Sequence, residues 1–239
     1  VLASGTANDG AETVTLPTIH SSAARVQVRA RGNIFFDVND ADVTITPPAG
    51  VATVVWERHT FSATNNVRIP AWGTRGETAP WPLTLQVPAL EGTVESVRVT
   101  LTGLTHTYLE DVDVLLVGPG GQNVMLLSDA GGGVGVSNTD LTFSDAGETF
   151  PSAGPIASGI YKPVNVDSAS DTFPVAGPYG TSLAVFKQMD PQGQWSLYVR
   201  DDMSGDSGML AGGWRLEIET SRIVIPTNQP PIILPQPPR

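Results

Sequence analysis

The stretch HTYLEDVDVLLVGPGGQNVMLLSDAGG, residues 106–132, decides the fold. Val112, Val114 and Leu116 alternate with Asp113, Leu115 and Val117. Gly118-Pro119-Gly120-Gly121 then breaks the run, and residues 124–127 resume it. Successive side chains of a strand point to opposite faces, and glycine tolerates the backbone of a tight turn. Period-two alternation on both sides of a Gly/Pro break is therefore the mark of a β-hairpin.

The same grammar extends in both directions. Short apolar or alternating runs predict strands at 67–69, 83–87, 94–102, 112–117, 124–127, 140–143, 182–186, 194–200 and 213–219. No window sustains a helical period, and with 25 Gly and 20 Pro among 239 residues every candidate helix is interrupted. A hydrophobic content of 40% is enough for a real core. The fold class is all-β, a jelly-roll β-sandwich over residues 67–220.

Charge narrows the partners. A net charge of −11 disfavours nucleic acid and anionic membranes and favours divalent cations where aspartates cluster. There is no cysteine, so disulfides and thiolate metal sites are excluded. A secreted protein without disulfides needs another staple, and bound Ca²⁺ is the usual one. The sequence contains no apolar run long enough for a transmembrane helix. No signal-peptide pattern follows Val1, as expected of a mature or trimmed segment of something longer.

Two acidic groups stand out. Asp111 and Asp113, at i and i+2, are expected on one face at a strand start. Asp201, Asp202 and Asp206 crowd one loop with Gly205 and Gly208. Ca²⁺ takes several oxygens at about 2.3–2.6 Å, and such loops supply them. The bland alternative is that these aspartates cap turns. Asp129, Asp140 and Asp145 are weaker candidates. The three histidines, His20, His59 and His106, form no local zinc pattern. There is no G-x-S-x-G, and Gly131-Gly132-Gly133 is followed by no helix or basic residue, so neither a hydrolase elbow nor a phosphate loop is read here. Trp195 and Trp214 alternate with Leu197 and Leu216, as core residues do; Trp72 and Trp81 lie in a Pro/Gly-rich loop and are expected to cap the sandwich.

Two anchors carry a resemblance. The first is the opening stretch; the second is GQWSLYVRDDMSGDSGMLAGGWRLEIET, residues 193–220. Gly193, Trp195, Leu197, Val199 and Asp201, then Asp206 and Gly208, then Trp214 and Leu216 recur in order. This pattern resembles the P-domain that follows the catalytic domain of kexin- and furin-like proprotein convertases and recurs in secreted bacterial proteins. Gly159-Ile160-Tyr161-Lys162-Pro163 and Leu183-Ala184-Val185-Phe186 match the bacterial version. The resemblance implies a non-catalytic extracellular module, not an enzyme. It implies calcium, with Asp111, Asp113, Asp201 and Asp206 as its ligands and a structural role for His106.

The flanks read differently. Residues 1–47 resemble the end of an immunoglobulin-like domain, with strands expected at 12–16, 24–30, 34–38 and 43–46 and with Val26 and Val28 facing inward. Residues 48–66 read as a linker or edge strand. Residues 221–239 are Pro-rich and extended, polyproline II being their natural conformation. Half a sandwich and an apolar tail are unfinished surfaces. They make a structural subunit of an extracellular filament or surface layer, a homo-oligomer joined through its terminal segments, the alternative to an accessory module of a secreted protease. Carbohydrate binding is a third reading, from fold analogy alone. The expected partners are other protein chains or upstream domains of the same precursor, with no nucleic acid and no membrane span.

Overall fold

The computed structural model describes residues 1–7, 11–17, 19–32, 36–46, 51–166 and 171–225. Two compact units are present: Trp56–Ser221, and Val1–Val55 together with the chain from Arg222.

In the N-terminal unit β1 (Ser21–Ala24) pairs with β4 (Val43–Ile45), and β2 (Gln27–Arg29) pairs with β3 (Phe36–Val38), both antiparallel. Residues 12–16 form no strand. Val26 and Val28 are exposed rather than inward, Val28 at 70%. Among the described residues the two short ladders make no second layer to cover them, and a strand face is buried only when another layer lies on it. Part of the strand expected at 34–38, and most of the Pro-rich tail, lie outside the described residues.

The larger unit is the jelly-roll β-sandwich. Its strands are β5 (Thr53–Ala63), β6 (Val67–Ile69), β7 (Gly76–Glu77), β8 (Leu83–Val87), β9 (Thr93–His106), β10 (Val112–Val117), β11 (Asn123–Leu127), β12 (Val136–Glu148), β13 (Gly159–Tyr161), β14 (Gly193–Asp201), β15 (Gly208–Leu210) and β16 (Trp214–Val224). A five-stranded sheet runs β11-β10-β14, with β7 and β8 both on the far side of β14. A seven-stranded sheet is built on β9, flanked by β12 on one side and by β15 and β16 on the other.

Register explains the core. Val114 lies opposite Val199 and Leu116 opposite Leu197. These side chains pack in one cluster with Trp195, Val97, Val99, Leu101, Phe143, Trp214, Leu216 and Ile218 from both sheets. The other face of β10 and β14 is covered too. Leu115, Met125 and Phe173 are buried there, with Trp81, Val175, Tyr179 and Tyr198 packed around them. The cover is the chain before β14. Val164 N–H donates to Leu126 and Val166 N–H to Ser128, so this chain runs along the β11 edge. It then crosses the sheet, where Phe173 meets Tyr179 and Tyr198 edge to face.

One expected strand is a 3₁₀ turn. Leu183–Phe186 coils instead of extending, and buries Leu183 and Phe186, three residues apart. Its first amides are capped: Asp145 Oδ1 accepts from Leu183 N–H at 2.9 Å, and Asp145 Oδ2 accepts from Ala184 N–H at 2.9 Å. Asp140 Oδ1 likewise accepts from Gly103 N–H at 2.7 Å. Both aspartates therefore serve the backbone.

Trp214→Ala should lower unfolding free energy by about 3–5 kcal/mol in a denaturant titration, since the indole is 1% exposed and its removal leaves a cavity. Gly213→Ala should destabilise as well. Gly213 has φ +68, in the left-handed region, and an added Cβ would collide with the Ala63 carbonyl.

Candidate metal centre

The acidic residues gather where β9, β10 and β14 end. After β9 the chain makes a 3₁₀ turn, Leu109–Asp111, before entering β10. Asp111 therefore sits on the turn and Asp113 on the strand, so the alternation that would put both on one strand face does not reach Asp111. The loop after β14 is tied to this turn, because Asp202 N–H donates to the Asp111 carbonyl at 3.0 Å. Between them lies a cleft of about 400 Å³, lined by Tyr108, Glu110, Asp111, Asp129, Asp202 and Asp206 among others. Its described lining holds no Lys or Arg. Burial raises the Asp111 carboxyl above its ordinary value, and the charges of Asp206 and Asp202 raise it further.

Asp201 stands apart from the cleft lining. Its side chain is 0% exposed, as is that of His106. His106 Nε2 lies 3.2 Å from Asp201 Oδ2, and His106 Nδ1 lies 2.7 Å from the Tyr108 carbonyl. Asp201 Oδ1 accepts from Met203 N–H at 3.1 Å. The pair fastens the β9 and β14 ends together and holds the start of the acidic loop. Burial pushes the Asp201 carboxyl up to about 6, against the lowering effect of Met203 N–H and His106.

Asp113 joins a different group. One of its oxygens lies within 4.8 Å of one oxygen each from Asp129 and Asp171, and the described residues contain no other such metal-ligating group. Asp113 is pushed up to about 8, first by burial and then by the charges of Asp171, Asp202 and Asp129, with Ser128 tempering the rise. Asp171 is raised by burial and by its acidic neighbours, despite Ser128 and Arg200. Of the four ligands expected from sequence, the structure thus brings Asp111 and Asp206 to one cleft, Asp113 to a neighbouring cluster, and Asp201 to His106. Sequence reasoning missed Asp171 and gave Asp129 and Asp202 too little weight. Asp129 carried one signal, its position in the loop directly after β11. Asp171 carried none, since only the crossing chain brings it there.

What this constellation offers is hard oxygen donors in excess of nearby positive charge, the chemistry that Ca²⁺ selects. Asp111, Asp202 and Asp206 offer the cleft's carboxylates for such an ion, but among the described residues only Asp113, Asp129 and Asp171 bring ligand atoms within 4.8 Å of one another.

The molecule is a mostly antiparallel sandwich of two sheets with acidic loops at the ends of its central strands. The family model for the proprotein convertase P-domain matches residues 94–218. This is more than half of the 239 residues, and the chain belongs to that family. No match is found among curated protein sequences. Two solved structures are similar at 17% identity: the serine protease of Aeromonas sobria, with TM-score 0.35, and the complex of that protease (ASP) with its chaperone (ORF2), with TM-score 0.34. The alignments cover 74% and 72% of this chain, and the chain spans 28% of the protease in each. No helix among the described residues is long and apolar enough to cross a membrane.

The raised carboxyls fix the sign of a pH effect. A group that binds its proton more tightly folded than unfolded adds stability below its unfolded value. That stability is lost as pH rises through its folded value. For Asp201 the window runs from 3.8 to about 6, and for Asp113 from 3.8 to about 8. In excess chelator, the melting temperature should therefore fall between pH 5 and pH 8. Asp201→Ala should cost about 1–3 kcal/mol in a denaturant titration, because His106 is left buried without its partner.

Proposed function

We propose that the chain is a non-catalytic, extracellular accessory module of a secreted multidomain protein such as a protease, which stabilises or positions a neighbouring domain of its precursor. The observation that carries this reading is the family match over residues 94–218. The acidic cleft supports it, since calcium at Asp111, Asp202 and Asp206 would add to the hydrogen bonds that join these two loops in a chain without cysteine. Such an ion binds the folded state alone and stabilises it by mass action.

A second reading is assembly into a filament or surface layer through the terminal segments. It draws on exposed Val28 and Phe36 in the N-terminal unit, at 70% and 58%. Truncating the chain after Thr220 and inspecting it by electron microscopy separates the readings. An accessory module keeps its assembly state unchanged, whereas a tail-joined assembly falls apart.

For the first reading, deletion of residues 56–221 from the full-length precursor should lower the secreted yield or the melting temperature of the remaining domains. Unchanged yield and melting would reject the accessory role. For the cleft, millimolar Ca²⁺ should raise the melting temperature of the purified chain over that in EDTA, by about 2–4 °C per kcal/mol gained in a domain of this size. Asp206→Asn should reduce the gain.

A further inference from the structure

Asp113 is out of place for a strand residue. It is 1% exposed, and neither of its carboxylate oxygens has a hydrogen-bond partner. Leaving a carboxylate buried and unpaired costs several kcal/mol, so proteins pair such groups, protonate them or bind a cation beside them. The obvious partner is at hand and turned away. Arg200 lies directly opposite Asp113 in the register of β10 and β14. Its Nη1 donates instead to the Thr172 carbonyl at 2.8 Å. Among the described residues no ion pair joins Arg200 to Asp113 or Asp171.

The Ser128 hydroxyl is also committed. It lies 2.9 Å from Asp129 Oδ2 and 3.1 Å from both Asp171 oxygens, and it has one proton to give. That single proton is drawn to several carboxylates at once, and neither Asp113 oxygen lies in hydrogen-bond geometry to it. Three oxygens within 4.8 Å of one another therefore face a common space from three segments: β10, the loop after β11 and the crossing chain.

We propose that Asp113, Asp129 and Asp171 bind a divalent cation of the hard, oxygen-seeking class, distinct from any ion in the cleft, and that this ion clamps the crossing chain onto the outer face of the five-stranded sheet. Carboxylate oxygens without nitrogen or sulfur select Ca²⁺ or Mn²⁺ over Zn²⁺. The clamp acts where the cover is thinnest. From Asp171 the chain leads into Phe173, Val175 and Tyr179, which close the small apolar cluster over Leu115 and Met125. An ion at Asp171 would fix the entry of that segment, as Met125 N–H, donating to the Gly180 carbonyl at 2.9 Å, fixes its exit.

The test uses the full chain stripped with chelator, titrated calorimetrically with CaCl₂ alone and followed by hydrogen exchange of the amides in 171–180. Calcium should bind the wild type and slow exchange in that segment. Asp171→Asn and Asp113→Asn should each weaken this binding at least about tenfold, since even indirect ligand supports are worth about 10–100-fold. Asp206→Asn should leave it in place. Asp113→Asn carries a second readout, because it removes the buried carboxyl that has no hydrogen-bond partner. In chelator its melting temperature should equal or exceed the wild type's, while in calcium it should fall below. Three results would overturn the proposal: no calcium binding by the wild type, binding untouched by either substitution at Asp113 or Asp171, or a single ion lost equally in Asp206→Asn, which belongs to the cleft.

Discussion

Strand β10 is buried on both faces, so each of its side chains must find a partner inside the protein. Val112, Val114 and Leu116 meet the main core, and Leu115 meets the outer apolar cluster. Asp113, between them, faces two other carboxylates. The chain that covers Leu115 is the same chain that brings Asp171 to Asp113. Apolar burial and the crowding of charge are thus one event: the aromatic cover cannot close without assembling the acidic cluster beneath its near end. The favourable side is several apolar side chains at about 1.5–3 kcal/mol each. The unfavourable side is a carboxyl held far above its ordinary value.

The two acidic sites adjoin through Asp129. It lines the cleft and also belongs to the buried cluster, and its backbone takes φ 51, in the left-handed region that a side chain rarely adopts. A residue held in that conformation by its surroundings is a fixed post between the two sites. The His106–Asp201 pair is the corresponding post on the other side, where β9 meets β14. The acidic loops are in this way mounted on the ends of buried strands.

Much of this was legible in the sequence. Alternation in 112–117 and 194–200 gave the two central strands, and the anchors around Trp195 and Trp214 gave the family and both core indoles. The misreadings have physical causes. LAVF at 183–186 satisfies a strand pattern as a string of apolar residues, but its amides are capped by Asp145, a partner no local rule names. The split of Asp111 from Asp113 follows from a 3₁₀ turn only three residues long. Asp171 entered the cluster through a crossing chain whose path depends on aromatic packing, which periodicity does not record. In the N-terminal unit, alternation at Val26 and Val28 was read as an inward face, but no layer among the described residues covers it.

The pairing of β5 with β16 has a consequence for how the protein comes into being. The first strand of the sandwich finds its neighbour in the last. His59 Nε2 sits 3.4 Å from Thr220 Oγ1, and Arg58 sits 3.4 Å from Glu219. During synthesis β5 therefore emerges long before the strand that completes its edge. Until then its unpaired backbone and the apolar Phe61 must stay soluble unaided. Sandwiches ruled by such distant pairings gain little from early contacts and close late. The edge of the seven-stranded sheet is thus finished only once the last strand of the sandwich has been made.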